Sequence, residues 1–444
     1  MWDFSTDPEF QEKLDWAQEF MRDEVEPLDL LFPDSAFDEM APALREHVTG
    51  LKQRVRDQGL WACHLGPELG GQGYGAVKLA LLNEILGRSH GEHNLGWGPV
   101  IFGTQAPDTG NAEILAHYGT SEQKAKYLRP LLDGEIFSAF SMTEPQGGAD
   151  PGVFTTRAHR DGNSWVIDGE KWFTSNARYA SLIIVMAMTG DEVHRGASMF
   201  LVPAETAGVK IIRNVASAAH RDSKGTHAYI HYDSVRVPSD HLLGAAGEGF
   251  AIAQTRLAGG RLHHAMRTVA QAQRALDMMS ERALSRTTKG SLLADKQMAQ
   301  QAIADSYLEV QQLRLFVLRT AWLCDSVGAA AARKDIAACK VLAARVIKDV
   351  VGRAIHLHGS LGMSNELPLA LMWLQAPWMG VMDGPSEVHI SSVARQHLKD
   401  YRPHQGLWPS EHLPTRRAAA EATHADLLRA ASRVTPDSAE TAVL

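Results

Sequence analysis

Arg160-Asp161-Gly162-Asn163-Ser164-Trp165-Val166-Ile167-Asp168-Gly169-Glu170-Lys171-Trp172-Phe173 is the stretch on which the fold assignment turns. An Asp-Gly-Asn turn leads into a run rich in aromatic and β-branched residues, the signature of a hairpin arm. Four further runs of this kind follow, over 182–188, 198–202, 210–215 and 229–237, with turns between them. The pattern predicts an antiparallel β unit that starts near Gly134 and ends near Pro238.

On both sides the apolar period changes. Upstream, Phe10, Leu14, Ala17, Phe20 and Met21 recur at helical spacing, and Pro27 is expected to end that run. Residues 42–58 read as a second helix stopped by Gly59, and Leu79, Leu82, Ile85 and Leu86 mark another. Downstream of about Gly247, Ile303, Tyr307, Val310, Leu313, Val317, Ala321 and Cys324 form one apolar stripe. Cys339, Leu342, Val346, Val350 and Ala354 form a second, with Gly359 as a natural stop. Long amphipathic helices of this kind bundle, and their length invites oligomer packing. Beyond about Tyr401 the sequence turns rich in Pro, Ala and charge; 418–431 reads as one short helix and 434–438 as frayed. The expected fold class is α+β, with an N-terminal helical domain over 1–134 and a middle antiparallel β domain over 135–245. A C-terminal four-helix bundle over 246–400 and a partly disordered or peripheral tail over 401–444 complete it.

The composition is ordinary for a globular protein: 444 residues, 45% hydrophobic and 22% charged. That length calls for two or three domains. A net charge of −8 argues against a general nucleic-acid binder. Cys63, Cys324 and Cys339 are far apart and lack metal-ligand spacing, so neither a disulfide framework nor a zinc site is expected. The acidic start, Met1-Trp2-Asp3-Phe4-Ser5, lacks the features of a signal peptide, and no apolar run is long enough to insert in a membrane. A cytoplasmic location is expected.

Two stretches invite a chemical reading. Gly71-x-Gly73-x-x-Ala76, with Glu92 downstream, imitates a dinucleotide fingerprint, but no strand precedes it and no βαβ alternation follows. Trp378-Met379-Gly380-Val381-Met382-Asp383-Gly384-Pro385-Ser386-Glu387-Val388-His389 places a carboxylate on a Gly-Pro corner that opens a helix. It reads either as a helix cap or as an acid held beside free N–H groups. His263 and His264 are adjacent on a helix and diverge, so no metal site is expected there.

Four motifs tie these parts together. They are Phe140-Ser141-Met142-Thr143-Glu144-Pro145-Gln146-Gly147-Gly148-Ala149-Asp150, Gly169-Glu170-Lys171-Trp172-Phe173-Thr174-Ser175-Asn176, Gly259-Gly260-Arg261-Leu262-His263-His264-Ala265-Met266-Arg267, and Ala354-Ile355-His356-Leu357-His358-Gly359-Ser360-Leu361-Gly362 with the Asp383 corner. In this order they resemble the acyl-CoA dehydrogenase family, FAD-dependent enzymes that place a double bond between Cα and Cβ of an acyl-CoA, over about residues 1–400.

The resemblance implies that Phe140, Met142, Thr143, Gly148 and Ala149 line the flavin, with Phe173 on its ring and Ser175 near N5. Phe173 and Ser175 stand where the family usually has Trp and Thr. It implies a substrate site shaped by Arg261, Ala149 and Gly384, in which Ala149 replaces a frequent Ser and offers only backbone. Arg286 is implied to reach the flavin pyrophosphate of a neighbouring subunit, and Thr288, Gln297, His356, Gly359, Ser360, Ser386 and Glu387 are further implied cofactor contacts. Asp383 falls on the catalytic base, where Glu is commonest, while Gly260 holds the alternative base position and cannot serve. An aspartate in water is a feeble base for a carbon acid, and exclusion of water by bound substrate strengthens it.

The implied partners are an acyl-CoA, an electron-transferring flavoprotein and further copies of the chain in a homodimer or homotetramer. The variant signatures resemble a branch often fused to or encoded beside kinase-like proteins and associated with longer or 4-hydroxylated acyl-CoAs. An acyl-CoA oxidase and a nitroalkane-oxidase-like enzyme, which also uses Asp as its base, are the alternative activities. A DNA-repair-associated relative is the non-catalytic one.

Overall fold

A computed structural model describes residues 4–33, 40–67, 71–89, 96–192, 195–216, 225–402 and 406–431. The chain divides into two compact units, 1–394 and 395–444.

The first unit opens with α1 (Pro8–Phe20), whose N-terminus is capped by Asp7 accepting from Phe10 N at 3.0 Å. Phe10, Leu14, Ala17 and Phe20 are its buried face. Pro27 does not end the run as expected. The helix widens into a π turn over Met21–Val25 and continues as α2 (Glu26–Leu31), with Pro27 in the first turn of the new segment. A proline is tolerated in a first turn, where its missing N–H has no partner to lose. Next comes α3 (Pro42–Asp57), with Gly59 just past its end at φ +69°.

The glycine-rich loop leads into α4 (Ala76–Leu86). The N–H groups of Ala76 and Val77 donate to the two oxygens of Asp325 at 2.6 and 3.0 Å, so a carboxylate of the chain itself occupies this helix end. A phosphate there would meet that negative charge, which removes the dinucleotide reading; Glu92 lies outside the described residues. The helices α5 (Trp97–Ile101), α6 (Asp108–Tyr118), α7 (Ser121–Gln123) and α8 (Arg129–Asp133) complete this part.

The sheet comprises β1 (Ser138–Ser141), β2 (Arg157–Asp161), β3 (Ser164–Ser175), β4 (Leu182–Met188), β5 (Ala197–Pro203), β6 (Val209–Val215), β7 (His227–Pro238) and β8 (Leu242–Leu243). Its order is β6-β7-β3-β2-β4-β5-β8, with β1 added on β4. The sheet is mostly antiparallel, as expected, with two additions: β1 runs parallel to β4, and a single parallel bridge joins β2 to β4 at Arg157 and Met188. β1 is short and enters from the helical part without a hairpin, so it carries no turn signal. β4 is buried along its whole length, as its unbroken apolar run requires. The long pair β3–β7 slips register between Lys171 and Thr174, and within that bulge Phe173 takes φ +53°.

α9 (Gly249–Ser285) follows, then a small hairpin of β9 (Thr287–Thr288) and β10 (Ser291–Leu292), then α10 (Gln297–Val327) and α11 (Arg333–His358). The short helices α12 (Leu369–Gln375) and α13 (Trp378–Val381) lead to α14 (Ser386–Leu398). The three long helices share one core, with Met266, Val269, Leu313, Val317, Cys339 and Val350 buried together and Ala80 of α4 among them. Tyr307, placed by periodicity in the α10 stripe, is exposed.

The second unit contains α15 (Leu413–Thr423) and α16 (Ala425–Ala431), two helices broken at His424 where one was expected. Neither has a buried residue, and 434–438 lie outside the described residues. Among the described residues no helix is long and apolar enough to cross a membrane.

Candidate active site

A cavity of about 990 Å³ lies where the sheet, α9 and the α13–α14 corner come together. Ten of the residues singled out from sequence line it: Phe140, Met142, Thr143, Gly148, Ala149, Phe173, Ser175, Arg261, Asp383 and Gly384.

One wall is the loop after β1, and a buried ion pair fixes it. Lys171 on β3 donates to Glu144 Oε1 and to Met142 O, both at 2.8 Å. Glu144 also accepts from Thr155 N at 2.6 Å and Thr156 N at 3.0 Å, and Trp172 N donates to Thr143 O at 2.8 Å. The Thr143 backbone is therefore clamped from both sides, and the residue lines the cavity. Burial opposes ionisation of Glu144, yet Lys171 and the surrounding donors outweigh it and hold the carboxyl at about 2. Burial pushes Lys171 down to about 8 against the pull of Glu144. Both remain charged at neutral pH.

Beside this loop the β3 bulge turns Phe173 outward, leaving it 36% exposed at the cavity. Ser175 Oγ meets His227 Nδ1 at 2.9 Å, and the His227 ring stacks on Trp378 with centroids 5.3 Å apart. At Gly148 an added Cβ would meet only Thr143 Cγ2, at 3.9 Å, so backbone is open to a ligand there. An exposed aromatic ring, an unobstructed glycine and a threonine on a clamped loop suit the binding of a planar, polar-edged ring system.

Asp383 forms the corner itself. It sits at φ +54° and Gly384 at φ +100°. Arg261 Nε donates to the Asp383 carbonyl at 3.0 Å and His389 Nε2 reaches the same oxygen at 3.2 Å. Lys340, buried on α11, donates to Met379 O. Burial pushes Lys340 down to about 8, with Asp383 opposing it. The carboxylate points toward α9, where Oδ2 lies 3.6 Å from His264 Nε2 and 3.3 Å from the position a Cβ on Gly260 would occupy. Among the described residues, the N–H groups of Asp383 and Gly384 have no hydrogen-bond acceptor. The corner thus offers a base, two open donors and a carbonyl already occupied by other groups.

The remaining candidates lie elsewhere. Arg286 follows the end of α9, Thr288 is on β9, Gln297 opens α10, His356 is in the last turn of α11, and Gly359 and Ser360 follow it. An added Cβ on Gly359 would lie 4.0 Å from Arg286 Nη1, so these two helix ends are neighbours. Arg286, Gln297, His356, Gly359 and Ser360 are exposed. Ser386 Oγ turns back to Gly380 O at 3.4 Å, and Glu387 is exposed in the first turn of α14. None of these eight lines the cavity.

Sequence reading missed Arg256 and His227 among the cavity residues, and it quoted His264, Arg267 and Trp378 without giving them a role in the site. His264 carried a signal, since Gly260, Arg261 and His264 share one helix face by spacing. The stacking of His227 on Trp378 had none, because a sheet strand and a distant helix bring them together. Among the described residues no group of three His, Cys, Asp or Glu side chains is placed to hold a metal.

Three family models match successive parts of the chain: the acyl-CoA dehydrogenase N-terminal domain over residues 7–135, the middle domain over 139–235 and the C-terminal domain over 247–398. The chain belongs to the acyl-CoA dehydrogenase family. Membership makes it an oxidoreductase, and its cofactor is FAD. The Mycobacterium tuberculosis protein named probable acyl-CoA dehydrogenase FadE2 is 43% identical over 366 residues, 81% of this chain and 87% of that one. Human acyl-CoA dehydrogenase family member 11 is 40% identical over 357 residues, 79% of this chain but 45% of its own length. The solved butyryl-CoA dehydrogenase of Megasphaera elsdenii shares the fold, with a TM-score of 0.76 at 24% identity over 89% of this chain and all of that one. In this acyl-CoA dehydrogenase, Phe140, Met142, Thr143, Gly148, Phe173 and Ser175 form a wall that fits FAD by the criteria above.

Proposed function

We propose that this chain dehydrogenates an acyl-CoA thioester between Cα and Cβ, giving the trans-2-enoyl-CoA, with Asp383 as the base. The observation that carries the reading is the Asp383 corner, a carboxylate in the same cavity as Phe173 and Ser175, with its carbonyl tied to Arg261. Asp383 takes the Cα proton onto its carboxylate. The N–H of Asp383, with no acceptor among the described residues, donates to the thioester oxygen as charge gathers there, which lowers the barrier only if the donor is already in place. Arg261 and His389 hold the carbonyl of the same peptide corner, so donor and base are fixed together. When bound, FAD supplies the acceptor for the hydride that leaves Cβ. The loop from Phe140 to Ala149 and the bulge at Phe173 hold that cofactor.

The electron acceptor proposed is an electron-transferring flavoprotein, the location cytoplasmic and the process fatty acid β-oxidation. A homodimer or homotetramer is supported by the exposed residues Arg286, Gln297, His356, Gly359 and Ser360, of which Arg286 and Gly359 are neighbours; none lines the chain's own cavity, which leaves them open to a second copy's FAD. Ser386 and Glu387, in the first turn of α14, keep their proposed cofactor role. The domain limits proposed remain 1–134, 135–245, 246–400 and 401–444.

The test is anaerobic mixing of the FAD-loaded protein with a panel of acyl-CoAs, following loss of oxidised flavin absorbance. Wild type should bleach, and Asp383→Asn should keep its FAD yet stay oxidised. Normal bleaching by the variant removes Asp383 from the role.

A further inference from the structure

The geometry points to His264 as a positioning residue that fixes the Asp383 carboxylate for proton removal, an inference resting on the base role proposed above. His264 lies one helical turn beyond Gly260 on α9, so both face the corner. Its Nε2 is 3.6 Å from Asp383 Oδ2, with both side chains largely buried. Among the described residues, no other donor or cationic nitrogen lies within bonding distance of that carboxylate. Asp383 is therefore held firmly at its backbone and loosely at its reacting end.

A separation of 3.6 Å is too long for a hydrogen bond. Catalytic hydrogen bonds are often long in the free enzyme and tighten when substrate is bound, and this contact has only a few tenths of an ångström to close. Binding of an acyl chain in the cavity removes the water that otherwise solvates the open side of the carboxylate, leaving His264 as its remaining partner.

The charge state of the ring matters. The groups that surround it are Arg256 and Arg267 on α9, Lys340 on α11 and Asp383 on the corner. Burial, reinforced by those three cations and opposed by Asp383, holds the imidazole down at about 4. It is neutral at physiological pH. A neutral N–H donor orients a carboxylate without neutralising it, whereas a cation in contact would stabilise the ionised form and weaken it as a base. The arginines and the lysine are kept out of contact, and the contact position is given to the one neutral donor.

Three variants test this against the acyl-CoA bleaching assay, with FAD content and acyl-CoA dissociation constant measured alongside. His264→Leu removes the donor, and flavin reduction should slow about tenfold or more while FAD content and acyl-CoA affinity stay near wild type. His264→Gln, which supplies a neutral N–H at similar reach, should recover most of the rate. Where the leucine variant fails to fold, His264→Asn replaces it, since its amide is too short to reach. A leucine or asparagine variant that reduces flavin at the wild-type rate overturns the inference. So does a glutamine variant slowed as much as the leucine one, because only packing would then be at stake. Asp383→Asn, run in parallel, separates the two claims: its failure to bleach beside an unaffected His264→Leu leaves the base assignment standing and removes His264 alone.

Discussion

Lys171 Nζ and Glu144 Oε1 meet at 2.8 Å with 1% of each side chain exposed, and they do so directly behind the loop that presents Thr143 to the cavity. Lys171→Met would leave the Glu144 carboxylate buried and unpaired, a change worth about 3–5 kcal/mol of stability. The denaturation midpoint should fall accordingly. Retained FAD should fall with it, because Met142 and Glu144 would lose the ammonium that ties them to β3. Adding Glu144→Gln removes the stranded charge and should recover part of the stability.

Gly260→Ala examines how tightly the base is placed. The new methyl would lie 3.3 Å from Asp383 Oδ2, tight enough that the carboxylate must give way. A displacement well under an ångström at a reacting group lowers a rate by roughly ten- to a hundredfold. The expected outcome is a slower anaerobic reduction by acyl-CoA with an unchanged flavin spectrum.

Acid should destabilise the fold through buried histidines. His64 and His264 are both held down at about 4, mainly by burial, against an ordinary value of 6.5. As pH falls, the unfolded chain takes up these protons first. Stability from this source is therefore complete above about 6.5 and is lost progressively between 6.5 and about 4, by about 3 kcal/mol per histidine. Chemical denaturation across that range should show the slope, and His64→Phe should flatten it.

Asp325→Ala removes the carboxylate that accepts from Ala76 N and Val77 N across a sequence separation of about 250 residues. Loss of such a cap is worth about 1 kcal/mol. The variant should unfold at lower denaturant and still show no binding of a nicotinamide dinucleotide by calorimetry; binding would revive the fingerprint at Gly71.

Much of this architecture was legible in the chain because its signals are local. The unbroken apolar run of β4 and the stripes of α10 and α11 each state their period within a few turns. β1 and β2 were not legible: four residues without alternation, or five with a mostly exposed face, give too little pattern. Pro27 misled because a π turn was available to absorb it. At the site, Thr143, Phe173 and Asp383 came from motif resemblance, and spacing alone would have left Asp383 a helix cap. The Arg256, Lys340 and His389 surroundings came from three separate helices, a juxtaposition that no local window contains.

The left-handed backbone at Asp383 settles a question of side-chain length. At φ +54° a residue with a short polar side chain is tolerated, while longer ones are disfavoured. The bend that aims the carbonyl at Arg261 and His389 therefore also suits aspartate better than glutamate in that place. A glutamate would meet a conformational penalty of about 1–2 kcal/mol at the same φ. The curvature that aims the carbonyl thus also favours the shorter reach.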